Sequence, residues 1–149
     1  MQIQSARFGL LDVDEQRIIT FPRGLLGYPQ HQKFALIQTG HENYFFWLQA
    51  IEEPKLAFVV TDPSVFSPDF CLSLKEETQR ALNLDGPQEL QVLVICNKAA
   101  GWLTGNLQGP LAINVRTRVG QQIVLNEKRW STRQPLLRID SPMPLACSA

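Results

Sequence analysis

The residues through which this chain could do chemistry are two histidines, three cysteines and two small groups of carboxylates. His31 and His41 stand ten residues apart in polar, loop-like sequence, and neither has metal-ligand spacing to the other or to a cysteine. Cys71, Cys96 and Cys147 are odd in number with no C-x-x-C pair, which implies reduced, mostly buried thiols and no disulfide framework. Cys96 lies in the apolar run LQVLVIC, where burial raises a thiol's pKa and hides it from substrate. Glu52 and Glu53 are adjacent acids of the kind used in general acid–base chemistry, but ahead of Pro54 they read as solvated turn residues. Asp62 and Asp69 flank a proline-containing stretch, and a cation site usually recruits more oxygen ligands than two acids. There is no G-x-S-x-G, no glycine-rich phosphate loop and no H-x-x-x-H. On these residues the chain is not expected to be an enzyme, and no metal or cofactor is expected.

A nucleic-acid role has slightly more behind it. Arg116, Arg118, Lys128, Arg129, Arg133 and Arg138, with Trp130 among them, combine basic side chains and an aromatic as single-strand binders do. An edge strand with arginine on its wet face explains the same residues without a ligand. Net charge is zero, with 8 Lys or Arg against 12 Asp or Glu in residues 1–98 and 6 against 2 in residues 99–149. A neutral total argues against strong non-specific binding to nucleic acid, which shows a basic excess. The asymmetry is either neutralised across the fold or forms a two-sided surface that orients a charged partner.

The elements that would position these residues are mostly strands. At 149 residues, 44% hydrophobic and 19% charged, the chain has the composition of an ordinary globular domain. Its apolar runs are too short to span a bilayer, and the N-terminus lacks the basic start and apolar centre of a signal peptide, so a cytoplasmic location is expected. Between Asn106 and Leu137, the residues Leu111, Ile113 and Val115 alternate with Ala112, Asn114 and Arg116, the period of a half-buried strand. RTRVG then reverses the chain with Gly120 placed for a positive φ, and Ile123 and Leu125 resume the apolar face. Residues 3–11 and 17–21 read as an N-terminal hairpin about the turn DVDEQ. The runs KFALIQ (33–38), NYFFWLQAI (43–51), KLAFVVTD (55–62) and LQVLVICNK (90–98) read as further strands, the last buried on both faces. Ser73 and Glu76 form a capping-box pattern ahead of LKEETQRAL, predicting a helix of about ten residues. Two segments, FPRGLLGYPQ (21–30) and DPSVFSPDFCL (62–72), mix proline with large apolar groups that must either pack or bind something. The fold class expected is mainly β: a compact antiparallel β-barrel-like single domain with one or two short helices, spanning 1–137, followed by a loosely held tail over 138–149.

Three blocks, in order and spacing, carry a resemblance. FPRGLLGYP (21–29), WLQAIEEPKLAFVVTDPSVFSPDF (47–70) and NLQGPLAINVRTRVGQQIVL followed by WSTRQPL (106–136) resemble the flagellar assembly factor FliW family, over about residues 7–137. The departures are AIEEP, where the family often has a small residue, two aspartates and proline, and RQPL, where histidine often precedes the proline. The resemblance implies a cytoplasmic β-barrel-like protein without catalytic activity. Its expected partners are a CsrA-type RNA-binding translational repressor, which it keeps from repressing flagellin mRNA, and flagellin, the two excluding each other. It also implies no direct nucleic-acid contact, no membrane, and a monomer when free. A groove for a partner helix would then be lined by Phe21, Leu25, Leu26, Tyr28, Phe66 and Phe70, with Glu52, Glu53, Asp62 and Asp69 on its rim.

Overall fold

The computed structural model describes residues 1–38 and 44–139. A first hairpin pairs β1 (Gln2–Ser5) with β2 (Gly9–Asp12) and stands apart from the main sheet. The main sheet runs through β3 (Ile18–Thr20), β4 (Lys33–Ile37), β5 (Phe45–Ala50), β6 (Ala57–Thr61), β7 (Leu90–Ala99), β8 (Trp102–Gly105), β9 (Leu111–Asn114), β10 (Val119–Gln122) and β11 (Gln134–Arg138). One α-helix among the described residues, α1 (Glu76–Ala81), lies between β6 and β7.

Seven of these strands close into a barrel in the order β7-β6-β5-β4-β3-β10-β9, with β9 returning to β7. Closure removes the unpaired edges that an open sheet would present. Each neighbouring pair is antiparallel except β3 and β10, which run parallel and meet at the single register pair Thr20 and Val119. The length of β7 lets it divide one edge between two partners: Leu90–Leu93 pair with β9, and Cys96–Ala99 pair with β8. Beyond that division β8 and β11 form a two-stranded wing.

Ile19, Phe21, Leu25, Phe34, Leu48, Ala50, Val60, Leu93, Leu111 and Ile113 fill the barrel as one buried cluster. Burying each of the larger of these side chains stabilises the fold by about 1.5–3 kcal/mol, which is why this interior holds the strands closed. Phe70, Val94, Leu107 and Trp130 make a second core against the wing, and Ile3, Val13 and Ala35 seat the first hairpin on the barrel wall. The barrel's two ends differ. The chain leaving β3 folds over one end, where Phe21 and Leu25 enter the core; at the other end, at the start of β3 and β7 and the end of β6 and β9, the described residues leave an open cleft.

The strands read from the sequence form as β4 through β7, and the mainly β barrel with little helix is what forms, but β7 is not buried on both faces throughout: Leu93, Val94 and Cys96 are buried, while Asn97 and Lys98 are exposed where the strand runs out to the wing. Other expectations need correction. Residues 3–11 are not one strand paired with 17–21: a turn at Ala6–Phe8 splits them into β1 and β2, and 18–20 joins the barrel. Gly120 does not turn the chain; it lies inside β10 opposite Ile113, and the positive φ, +61°, belongs to Arg118. The face of β9 that carries Ala112 and Asn114 is buried rather than wet, because Asn114 lies beneath the chain leaving α1. Val115, by contrast, is 52% exposed at the barrel mouth. The helix is shorter than the capping pattern predicts: Lys75 occupies the N-cap with no side-chain bond, so Ser73 caps nothing. The tail expected from 138 lies outside the described residues from 140 onward; Arg138 ends β11, and the Ile139 N–H donates to the Gly101 carbonyl.

Candidate partner-binding surfaces

At the closed end the segment 21–30 does two jobs. Phe21 and Leu25 are core residues, whereas Leu26 is 61% exposed and Tyr28 lies edge-on to Phe58 at 5.3 Å, covering that ring from outside. The loop is held in place by the Leu26 N–H, which donates to Gln122 Oε1 at 2.8 Å, and by an isolated bridge between Leu25 and Tyr28. Gly24, at φ +67°, is required there: a Cβ would come within 2.6 Å of the Tyr28 carbonyl oxygen and of Pro29 Cα.

Two residues before Phe58, the chain completes the β5–β6 turn that carries Glu52 and Glu53. Gln49, fully buried on β5, lies inside that turn: its side-chain nitrogen, with two hydrogens to give, is surrounded by the carbonyls of Ala50, Glu53, Pro54 and Leu56 at 3.1–3.3 Å, while its Oε1 is buried with no partner among the described residues. The Glu53 carboxylate accepts from the Lys55 N–H, which leaves Glu52 exposed at the tip. A buried amide of this kind gives a turn a fixed shape where backbone pairing has ended.

The open end is a cleft of about 450 Å³. Ile19, Leu36, Phe46, Leu93 and Ile113 form its floor, and Arg17, Tyr44, Asp62, Val65, Val115 and Arg118 stand around it. Asp62 caps the 3-10 turn Pro63–Val65, accepting from the N–H and hydroxyl of Ser64. Phe66 follows the turn and stacks on Phe45 at 5.5 Å, with Tyr44 against its edge, and the Thr61 hydroxyl donates to the Tyr44 carbonyl.

The residues grouped by sequence into one groove therefore occupy four places. Leu26, Tyr28, Glu52 and Glu53 belong to the closed end; Asp62 and Phe66 stand at the open end; Asp69 is exposed on the segment between; and Phe21, Leu25 and Phe70 are buried, Phe70 against Trp130 at 5.0 Å. Arg116 is engaged within the protein: its Nε donates to Glu89 at 2.7 Å and its Nη2 to the Asn83 carbonyl at 2.9 Å, with Asp85 at 3.7 Å. The two described cysteines differ. Cys71 is exposed, contrary to expectation, while burial pushes the Cys96 thiol up to about 12. His41 and Cys147 lie outside the described residues, and among the described residues no three His, Cys, Asp or Glu side chains gather to hold a metal. The cleft and the role of Gln49 escaped the sequence reading, because both depend on strands far apart in the chain closing on one another.

Comparison with known proteins fits this geometry. The family model described as FliW protein matches residues 2–136. The chain belongs to the FliW family. Flagellar assembly factor FliW of Treponema denticola is 36% identical over 92% of this chain and 94% of its own length, and that of Magnetococcus marinus is 36% identical over 92% and 85%. The FliW of Leptospira interrogans serogroup Icterohaemorrhagiae serovar Lai is again 36% identical, over 92% and 93%. A solved structure, the crystal structure of the flagellar assembly factor FliW, superposes with a TM-score of 0.83 at 30% identity, over 92% of this chain and 97% of that one. The solved FliW thus shares the fold as well as the sequence, and the names the relatives carry are those of assembly factors rather than of enzymes. Among the described residues no helix is long and apolar enough to cross a membrane.

Proposed function

We propose that this chain is a non-catalytic protein antagonist in the cytoplasm. It binds a CsrA-type RNA-binding repressor, relieves repression of flagellin mRNA, and binds flagellin in a mutually exclusive way. The observation that carries this reading is the match to flagellar assembly factors along nearly the whole length of both chains. The closed end of the barrel is the surface we assign to the repressor. Exposed Leu26 and Tyr28 supply apolar anchors, and the Glu52–Glu53 turn supplies negative charge that steers a basic partner. Phe21 and Leu25 serve this surface from beneath by fixing the loop to the core.

The test is association kinetics between the purified protein and a CsrA-type repressor. Glu52→Lys with Glu53→Lys is expected to slow association by about tenfold at low salt and to flatten its salt dependence, while circular dichroism shows the fold persisting. Leu26→Asp is expected to speed dissociation. Unchanged association after the charge reversal would remove the acids from the mechanism. Flagellin added in excess is expected to displace the repressor. Affinity of the protein alone for flagellin leader RNA, with a steep salt slope, would instead favour direct RNA binding; against that alternative stands Arg116, bound to Glu89 and Asn83.

A further inference from the structure

We propose that the open end of the barrel is a binding site for a small amphiphilic carboxylate, an aliphatic chain or aromatic ring ending in a carboxyl group. At about 450 Å³ the cleft falls inside the range of ligand pockets, roughly 300–1,000 Å³. Its floor is the end of the barrel core itself, where Ile19, Leu93 and Ile113 meet the half-buried Leu36 and Phe46. Five apolar side chains against one polar neighbour at that depth, Gln91 opposite Ile113, favour an apolar tail over a polar one.

The rim selects the sign of the head group. Arg17 and Arg118 both border the cleft, and neither forms an ion pair among the described residues. The carboxylate that shares the rim, Asp62, already accepts two hydrogen bonds from Ser64. Asp62 keeps its negative charge, so among the described residues two guanidiniums face one carboxylate around the cleft, a net positive rim where a ligand carboxylate can bind a guanidinium with charge-assisted hydrogen bonds. Arg118 is also held in position. Its N–H donates to the Asn114 carbonyl at 2.7 Å and its carbonyl accepts from the Thr20 N–H at 2.9 Å, so the strand seam fixes the root of this side chain in a left-handed conformation. Such a conformation is uncommon for a long side chain and persists where the surroundings dictate it. Neither arginine belongs to the closed-end surface assigned to the repressor, so the two sites are separable by mutation.

Calorimetric titration of the full chain tests this, using decanoate below its micelle concentration, decanol as the neutral probe with the same tail, and acetate as the head group alone. Decanoate is expected to bind at least about tenfold more tightly than decanol, the difference a charge-assisted hydrogen bond makes, and acetate not measurably. The double variant Arg17→Gln, Arg118→Asn, in which asparagine tolerates the left-handed backbone, is expected to bring decanoate down to the level of decanol. Should the double variant melt early, Arg17→Gln alone is expected to weaken decanoate and leave decanol unchanged. Leu36→Trp, which fills the cleft, is expected to abolish both. Absence of decanoate binding to the unmodified chain, equal affinity for decanoate and decanol, or decanoate binding untouched by loss of the arginines would each overturn the proposal.

Discussion

A methyl group added at position 120 would lie 2.6 Å from Phe21 Cε1 and 3.1 Å from Ile113 Cγ1, inside the space the barrel core occupies. Phe21 cannot retreat, since it is fully buried and T-packed on Phe34 at 5.8 Å. Gly120→Ala is therefore expected to cost about 1–3 kcal/mol, read as a lower urea midpoint with an unchanged slope. A substitution tolerated without loss would mean that the ring shifts freely, contrary to the packing described. The importance of this glycine was legible in the sequence, but its role was not. Asn114 does the work of the turn: its Oδ1 accepts from the Arg116 N–H at 2.8 Å and the Thr117 N–H at 3.3 Å, while its Nδ2 donates to the Leu82 and Asn83 carbonyls. An asparagine side chain can shape a turn in this way without a central glycine, and the alternation of apolar residues carries no sign of it.

At the scale of elements, the link between the start of β7 and the turn after β9 has a definite pH dependence. The Asp85 N–H donates to the Glu89 carboxylate at 2.8 Å and the Arg116 guanidinium to its other oxygen at 2.7 Å, and these bonds hold the Glu89 carboxyl below its ordinary 4.5. The sign follows from proton counting. With the folded value below the unfolded one, the unfolded chain binds more protons in the interval between them, so stability rises with pH there. The contribution is present above pH 4.5 and is lost as pH falls through the lowered folded value. Urea midpoints of the parent chain and Glu89→Gln are expected to differ at pH 7 and to converge below pH 4.5. A difference that persists undiminished in acid would assign the effect to shape rather than charge. The strands themselves were legible because β4 to β7 have the lengths, β-branched and aromatic content and flanking turn residues of strands. The helix was legible in kind but not in extent, since Ser73 lies two residues before Lys75, where the first turn begins. The first hairpin is not legible because its three-residue turn contains Phe8, which packs edge-on to Trp47 at 5.8 Å and so looks in the sequence like part of a strand.

At the scale of the whole molecule, what the sequence withheld is closure. Leu25 and Leu26 are neighbours of the same type, yet one is core and the other surface, and only the direction in which the loop crosses the barrel end decides which. The same uncertainty scattered the expected groove over two ends, two cores and the exposed segment that carries Asp69. Thr20 and Val119, the register pair joining β3 to β10, are about a hundred residues apart in the chain, so their meeting carries the largest loop-closure cost in the barrel and is repaid by a single pair of residues. Val119→Ala is accordingly expected to speed unfolding while leaving the refolding rate nearly constant, measured from the two arms of a denaturant chevron. Refolding slowed in proportion to the lost stability would place the seam in the transition state instead. Until that seam forms, the other six pairings describe an unrolled strip whose outer strands, β3 and β10, each keep one edge unsatisfied. The lifetime of those two free edges, set by how fast Thr20 finds Val119, is then the interval in which this chain can pair with another copy instead of with itself.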